Sequence, residues 1–109
     1  MTLEKILQAC RKFKIHEKRV ISDEYYELVI FNDEIEEWTT VLSSILGAAQ
    51  KPRGVEPTQG DLDLTKASGG IRVEQTLFKK ELGDLTIIAK FWPWEDNVHT
   101  TLKMAFLPS

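Results

Sequence analysis

From Ile71 onward, apolar side chains alternate with mainly polar ones in three runs that are separated by short turn-forming sequences. The positions on the apolar side of these runs are Ile71, Val73 and Leu77, then Leu85, Ile87, Ala89 and Phe91, then Val98, Thr100, Leu102, Met104 and Phe106. A period of two places successive side chains on opposite faces of a strand. Gly83-Asp84 and Glu95-Asp96-Asn97 have the composition of turns. The final third of the chain therefore predicts an antiparallel meander of three strands.

Upstream of the meander, the pattern predicts one strand between two helices. Residues 2–18 carry apolar side chains at helical spacing. Residues 25–31 are aromatic and β-branched, which is typical of a strand. A second helix follows, with a capping box at Asp33-Glu34-Ile35-Glu36 and an end at Gly47 or at Lys51-Pro52.

This order predicts an α+β fold, namely a two-layer sandwich with the sequence α-β-α-(long loop)-β-β-β. Two helices would cover one face of a mainly antiparallel, four-stranded sheet and leave the other face open. The chain of 109 residues has the size of one domain, residues 1–109. Residues 50–70 are rich in Pro and Gly, which predicts a long flexible loop within that domain. Asp61 to Thr65 are an alternative short edge strand inside it.

The net charge of −3 is unevenly distributed along the chain. Residues 1–20 hold six Lys or Arg and two Glu, whereas residues 21–50 hold seven acidic residues and neither Lys nor Arg. The pI of about 5.4 argues against nucleic acid as the partner, because such a surface needs clustered cations. The acidic middle segment favours a basic protein partner through electrostatic steering.

The apolar runs are too short for a membrane span, the longest being the four residues Leu28 to Phe31. The start lacks the pattern of a secretory signal, because Glu4, Lys5 and Gln8 interrupt its apolar residues. The single cysteine excludes an internal disulfide. We therefore expect a soluble, cytoplasmic protein without a membrane partner.

The segment Trp92-Pro93-Trp94 places two indoles beside the turn between the last two runs. Small polar residues suffice at a turn, whereas exposed indoles supply a partner with a large contact area at low entropic cost. The alternative is that Trp94 closes the end of the core and Trp92 covers a helix or the 50–70 loop. Trp38 lies on the apolar stripe of the second helix and is expected in the core.

His99 follows Asp96 by three residues and Glu95 by four. Either carboxylate could orient the imidazole as a general base or join it in binding a metal ion. His16 is expected to be a solvated residue near the end of the first helix. No nucleotide-binding, metalloprotease, serine-hydrolase or paired-cysteine motif occurs in the sequence. We therefore assign no catalytic residue, no metal ligand and no cofactor.

These observations favour a small non-enzymatic protein-interaction module, of adaptor, inhibitor or immunity type by analogy of size and charge alone. It would bind through the open sheet face and the Trp-rich hairpin, with these contact residues: Trp92, Trp94, His99, Glu34 and Glu37. The competing hypothesis is a small-molecule or enzymatic pocket formed by His99 and the 50–70 loop. Self-association through an unpaired strand edge is compatible with both.

Overall fold

The structure is a computed structural model that describes residues 1–108. In chain order its elements are α1 (Leu3–Ala9), β1 (Ile15–Ile21), β2 (Tyr25–Phe31), α2 (Ile35–Leu46), α3 (Gln59–Thr65), β3 (Thr76–Leu82), β4 (Leu85–Pro93) and β5 (His99–Pro108). These residues build one antiparallel sheet of five strands in the order β1-β2-β5-β4-β3. The predicted α+β class is confirmed. The predicted numbers of four strands and two helices are wrong, because β1 and α3 have no periodic pattern of apolar residues in the sequence.

The single helix predicted over residues 2–18 is wrong after its first two turns. α1 ends at Ala9, and residues 15–21 form the edge strand β1. Every residue of β1 after Ile15 is exposed, so no buried face imposes an alternating pattern on its sequence. The pairing with β2 is also irregular at two places. Charged side chains and bulges are the usual protection of an edge strand against unwanted pairing.

One face of the sheet, here called the helix face, packs against α1 and α2. Its core contains Leu3 and Ile6 of α1 together with residues from four strands, and Trp38 at its centre is fully buried, as predicted. α2 begins after a 3₁₀ turn at Asn32–Glu34 and ends at Gly47, whose φ is +89°. The predicted capping box of Asp33 and Glu36 does not form within residues 1–108, because Asp33 lies inside the 3₁₀ turn and the N-cap of α2 is Glu34, whose side chain makes no capping hydrogen bond. The Glu34 carboxylate instead accepts a hydrogen bond from Lys14 N at 2.8 Å.

The opposite face of the sheet, here called the second face, is half covered rather than open. α3 lies on it, and Leu64 packs with Ile88 and Ala105 in a smaller apolar cluster. Residues 59–65 thus form a helix where the sequence predicts a loop or an edge strand. A complete capping box starts this helix: the Thr58 hydroxyl accepts from Asp61 N, and the Asp61 carboxylate accepts from Thr58 N.

The predicted meander of three antiparallel strands is confirmed as β3, β4 and β5, with a tight turn at Gly83-Asp84. The predicted start and face of its first strand are wrong, because β3 begins at Thr76 and not at Ile71, and Leu77 lies on the second face while Phe78 enters the helix-face core. β5 lies in the middle of the sheet and pairs with both β2 and β4. Within residues 1–108, no helix has the length and apolar character that crossing a bilayer requires.

Candidate binding surface

Three of the predicted contact residues lie together on the second face, at the end of the sheet away from α3. Trp92 and Trp94 are two residues apart at the end of β4, and His99 begins β5. Trp92 is the cross-strand neighbour of Thr101, which shares a face with His99. All three of the predicted residues are partly exposed.

His99 is the centre of a cluster of rings. Its ring centroid lies 4.6 Å from that of His16, 5.0 Å from that of Trp94 and 5.4 Å from that of Phe31. His16 is exposed, as expected of a solvated residue, but the prediction that it lies near a helix end is wrong, because His16 belongs to β1 and its ring faces this cluster. We call these four rings and Trp92 the aromatic strip.

Trp94 packs along the sheet and does not close the end of the core. Its indole Nε1 donates a hydrogen bond to the Thr101 hydroxyl at 2.8 Å. The guanidinium of Arg19, on the exposed strand β1, lies 5.3 Å from the ring centroid, a cation–π distance. Arg19 in turn pairs with Glu17 at 2.7 Å. Trp94 is therefore fixed in orientation while part of its surface stays in solvent.

Trp92 lies against two lysines and a glycine. The Lys103 ammonium is 3.9 Å from the ring centroid, and the Lys90 ammonium is 5.4 Å from it. Burial lowers the pKa of both lysines, to about 8 for Lys90. Gly69 approaches the indole so closely that an added Cβ would lie 3.0 Å from Trp92 Cη2. The segment after α3 therefore positions this ring.

Asp96 holds the imidazole of His99. Its Oδ2 lies 2.6 Å from His99 Nδ1, and its Oδ1 accepts from the backbone N–H groups of Val98 and His99. The side-chain hydrogen bond, followed by the two backbone bonds, lowers the pKa of Asp96 to about 2. An ionised carboxylate only accepts hydrogen bonds, so the proton of His99 lies on Nδ1. His99 Nε2 makes no hydrogen bond to residues 1–108.

The two predicted glutamates lie at the same end of the sheet but differ in exposure. Asn32 N donates to Val98 O at 2.8 Å, which joins the start of α2 to the β4–β5 turn. Glu37 is exposed in the first turn of α2, whereas Glu34 is half-buried on Lys14 N. This end therefore carries the following carboxylates: Asp33, Glu34, Glu36, Glu37, Glu95 and Asp96.

Sequence reasoning missed the contribution of β1 to this surface. His16 and Arg19 reach the strip only because β1 pairs with β2. Glu27 and Lys103 complete it, with a separation of 4.0 Å between their charged atoms. No local pattern could identify these four residues, since they come from three strands.

The described residues contain no group of three or more His, Cys, Asp or Glu side chains arranged to hold a metal ion. A cavity of about 350 Å³ lies close to the β4–β5 turn. Thr100, which points to the helix face, lines this cavity, whereas His99 does not.

No family model, no curated protein and no solved structure matches this chain.

Proposed function

We propose that this chain is a small non-enzymatic module that binds another protein through the aromatic strip. The observation that carries the proposal is that five rings from β1, β2, β5 and the end of β4 converge on the half of the second face that α3 leaves uncovered. Proteins bury most of their aromatic rings, and a cluster of partly exposed rings on a surface marks an interaction site. Trp is the residue most enriched among those that dominate binding energy.

The positions of the indoles support this role. Trp94 is held by Thr101 and Arg19, and Trp92 by Lys103 and Gly69. A partner that docks on rings already fixed in place loses less side-chain entropy on binding. The strip is therefore preorganised for contact.

The charge of the neighbouring turns favours a basic partner. Six carboxylates lie in residues 33–37 and 95–96, and these two segments contain neither Lys nor Arg. A concentration of like charge accelerates association with an oppositely charged surface, and the effect weakens as salt is added. We therefore expect partner association to slow with increasing ionic strength.

The test uses affinity capture from the native cell, followed by binding measurements with the captured partner. Trp94→Ala and Glu37→Lys remove a ring and reverse an exposed charge. Leu62→Ala and Glu56→Lys are matched controls, since both residues are exposed away from the strip. Glu34 is unsuitable for charge reversal because its carboxylate supports Lys14 N.

We expect Trp94→Ala to weaken binding by about 30-fold or more, the effect of losing a central aromatic anchor. Glu37→Lys should mainly lower the association rate. Equal recovery and equal affinity for all four variants, each with an unchanged unfolding transition, would refute the proposal. Sedimentation of the same variants tests whether the partner is a second copy, in which case Trp94→Ala dissociates a dimer.

The competing function, a catalytic or small-molecule site at His99, has one supporting feature. Asp96 orients His99 as a general base requires, with His99 Nε2 available. However, the ring of His99 is surrounded by His16, Phe31 and Trp94, so the reactants would have to approach across these rings. The arrangement therefore supports protein binding better than catalysis.

A further inference from the structure

A cavity of about 350 Å³ opens between the first turns of α2 and the helix face of β3, β4 and β5. It lies on the other side of the β4–β5 hairpin from the aromatic strip. Thr100 of its lining is adjacent to His99 but points to the opposite face of the sheet. Its volume falls in the lower part of the range of small-molecule sites, about 300–1,000 Å³.

The walls of this cavity are apolar. Ile35 of α2 packs against the helix-face core, Phe91 of β4 is buried, and Pro93 completes the wall near the hairpin. This lining suits the hydrocarbon body of a small ligand.

Hydrogen-bonding groups line the remaining sides of the cavity. The Thr100 hydroxyl donates to Asn32 Oδ1, which leaves the amide N–H groups of Asn32 to donate to a ligand. The Thr39 hydroxyl donates to Ile35 O, so its oxygen is left as an acceptor. These polar groups lie beside the apolar walls, since Thr100 is opposite Pro93 in the sheet and Thr39 is bonded to Ile35, so they can meet the polar atoms of a ligand whose body contacts those walls.

Arg53 is the single charged residue in the lining of this cavity. Its guanidinium makes no ion pair and no side-chain hydrogen bond to residues 1–108. The backbone beside it is anchored, because Gly54 N donates to Val73 O at 2.7 Å. A guanidinium matches a carboxylate with two parallel hydrogen bonds.

The surrounding charge limits the ligand to one negative charge. Asp33, Glu36 and Glu37 flank the same turns of α2, and each would repel an anion. Repulsion grows with the charge of the ligand, whereas direct contact with one guanidinium neutralises a single charge. A phosphate or a dicarboxylate is therefore disfavoured relative to a monocarboxylate.

We propose that this cavity binds a small monocarboxylate with an apolar body, whose carboxylate pairs with Arg53 while Ile35, Phe91 and Pro93 enclose the body. The proposal is independent of the aromatic strip, because the two surfaces share no residue.

The test is an amide NMR titration with benzoate, phenylacetate and 4-methylpentanoate, with benzamide and inorganic phosphate as comparison compounds. Arg53→Gln removes the charge. Arg72→Gln is the matched control, since Arg72 is exposed and lies outside the cavity lining. Trp94→Ala is included so that failure of the strip and failure of the cavity can be told apart.

We expect saturable shifts at Ile35, Thr39 and Thr100 with at least one carboxylate. Binding should be about 10-fold or more weaker for benzamide and for Arg53→Gln, the usual effect of losing a charge-assisted hydrogen bond. Arg72→Gln and Trp94→Ala should bind as the unmodified chain does. The proposal is overturned if no carboxylate saturates at millimolar concentration, if benzamide or phosphate binds equally well, or if Arg53→Gln binds unchanged.

Discussion

Two buried lysines hold the segment between α2 and β3 on the protein. Lys51 Nζ donates to the carbonyls of Pro52, Val73 and Gln75, and Lys90 Nζ donates to those of Ser68 and Gly70. Burying an ammonium is costly, and these hydrogen bonds to carbonyl oxygens offset part of that cost. The same bonds satisfy backbone carbonyls that make no strand pairing.

The low pKa of Lys90 predicts a specific dependence of stability on pH. The pKa falls from 10.5 to about 8 in the folded chain, through burial first and the Lys103 charge second. Between these values the unfolded chain binds more protons than the folded chain, so the free energy of unfolding rises with pH in this window. Below it, both states are protonated and the cost of burying the charge is fully present.

Lys90→Met removes this titration. Between pH 8 and 10.5, the unfolding free energy of the unmodified chain should therefore rise by about 1–2 kcal/mol relative to that of the variant. This energy is smaller than the full pKa shift implies, because solvent screens the charge. Urea denaturation at fixed ionic strength measures both proteins across the window. Parallel pH profiles would show that the ammonium is not the titrating group.

Gly69 and Gly54 separate the effect of backbone conformation from that of packing. Both have positive φ, +95° and +87°, but only Gly69 faces another group, the ring of Trp92. Gly54→Ala should cost about 1 kcal/mol for the left-handed conformation alone. Gly69→Ala should cost about 1 kcal/mol more and alter the near-ultraviolet circular dichroism of Trp92. Equal losses of unfolding free energy would contradict the close contact.

At the scale of elements, α3 shows how a few local interactions turn a predicted loop into a helix. The capping box of Thr58 and Asp61 begins it, and Thr65 ends it with a buried hydroxyl bonded to Asp61 O at 2.8 Å. The helix has seven residues, too few to be stable alone in water. Its packing of Leu64 on the second face is therefore necessary for its formation.

Thr58→Ala should cost about 1 kcal/mol of unfolding free energy, the usual loss at a helix N-cap. Thr40→Ala is the control, because Thr40 is exposed within α2 and its replacement is expected to be neutral or slightly stabilising. Amide hydrogen exchange should accelerate in α3 while the centre of β5 stays protected. Unchanged exchange in α3 would show that the cap contributes little.

At the scale of the whole molecule, the position of β5 determines when the fold can form. The last strand in the sequence lies at the centre of the sheet and pairs with β2, with Phe31 opposite His99 and Tyr25 opposite Ala105. The other three pairings join strands that are consecutive in sequence, so the β2–β5 pairing is the one that brings distant parts of the chain together, and such contacts slow folding.

A chain that ends at Val98 should show no cooperative unfolding, because β2 and β4 then lose the strand between them. A chain that ends at Phe106 is the control, since it keeps most of β5 and lacks the outermost pairs of Leu107 and Pro108 with β4 and the packing of Leu107 on the second face. It should fold with reduced stability. A cooperative transition in the shorter chain, followed by circular dichroism on heating, would contradict this role of β5.

An element can be predicted from its sequence to the extent that it is buried. β2, β4 and β5 bury one or both faces, so their side chains had to follow a pattern that can be read. β1 is exposed on both sides, and α3 is short, so neither leaves a periodic signal. Trp92, Trp94 and His99 were identified as a group because they are close in sequence, whereas His16 and Arg19 were not.

The sequence by itself determined the α+β class, the meander and the burial of Trp38, since each of these follows from local periodicity and burial. The tertiary structure decided which strand became central, which half of the second face α3 covers and which residues join the indoles. These features depend on pairing between β1, β2 and β5, and the free energy of such pairing belongs to contacts that no single segment contains. The same holds for the cavity beside Arg53, whose walls come from α2, the following loop and three strands.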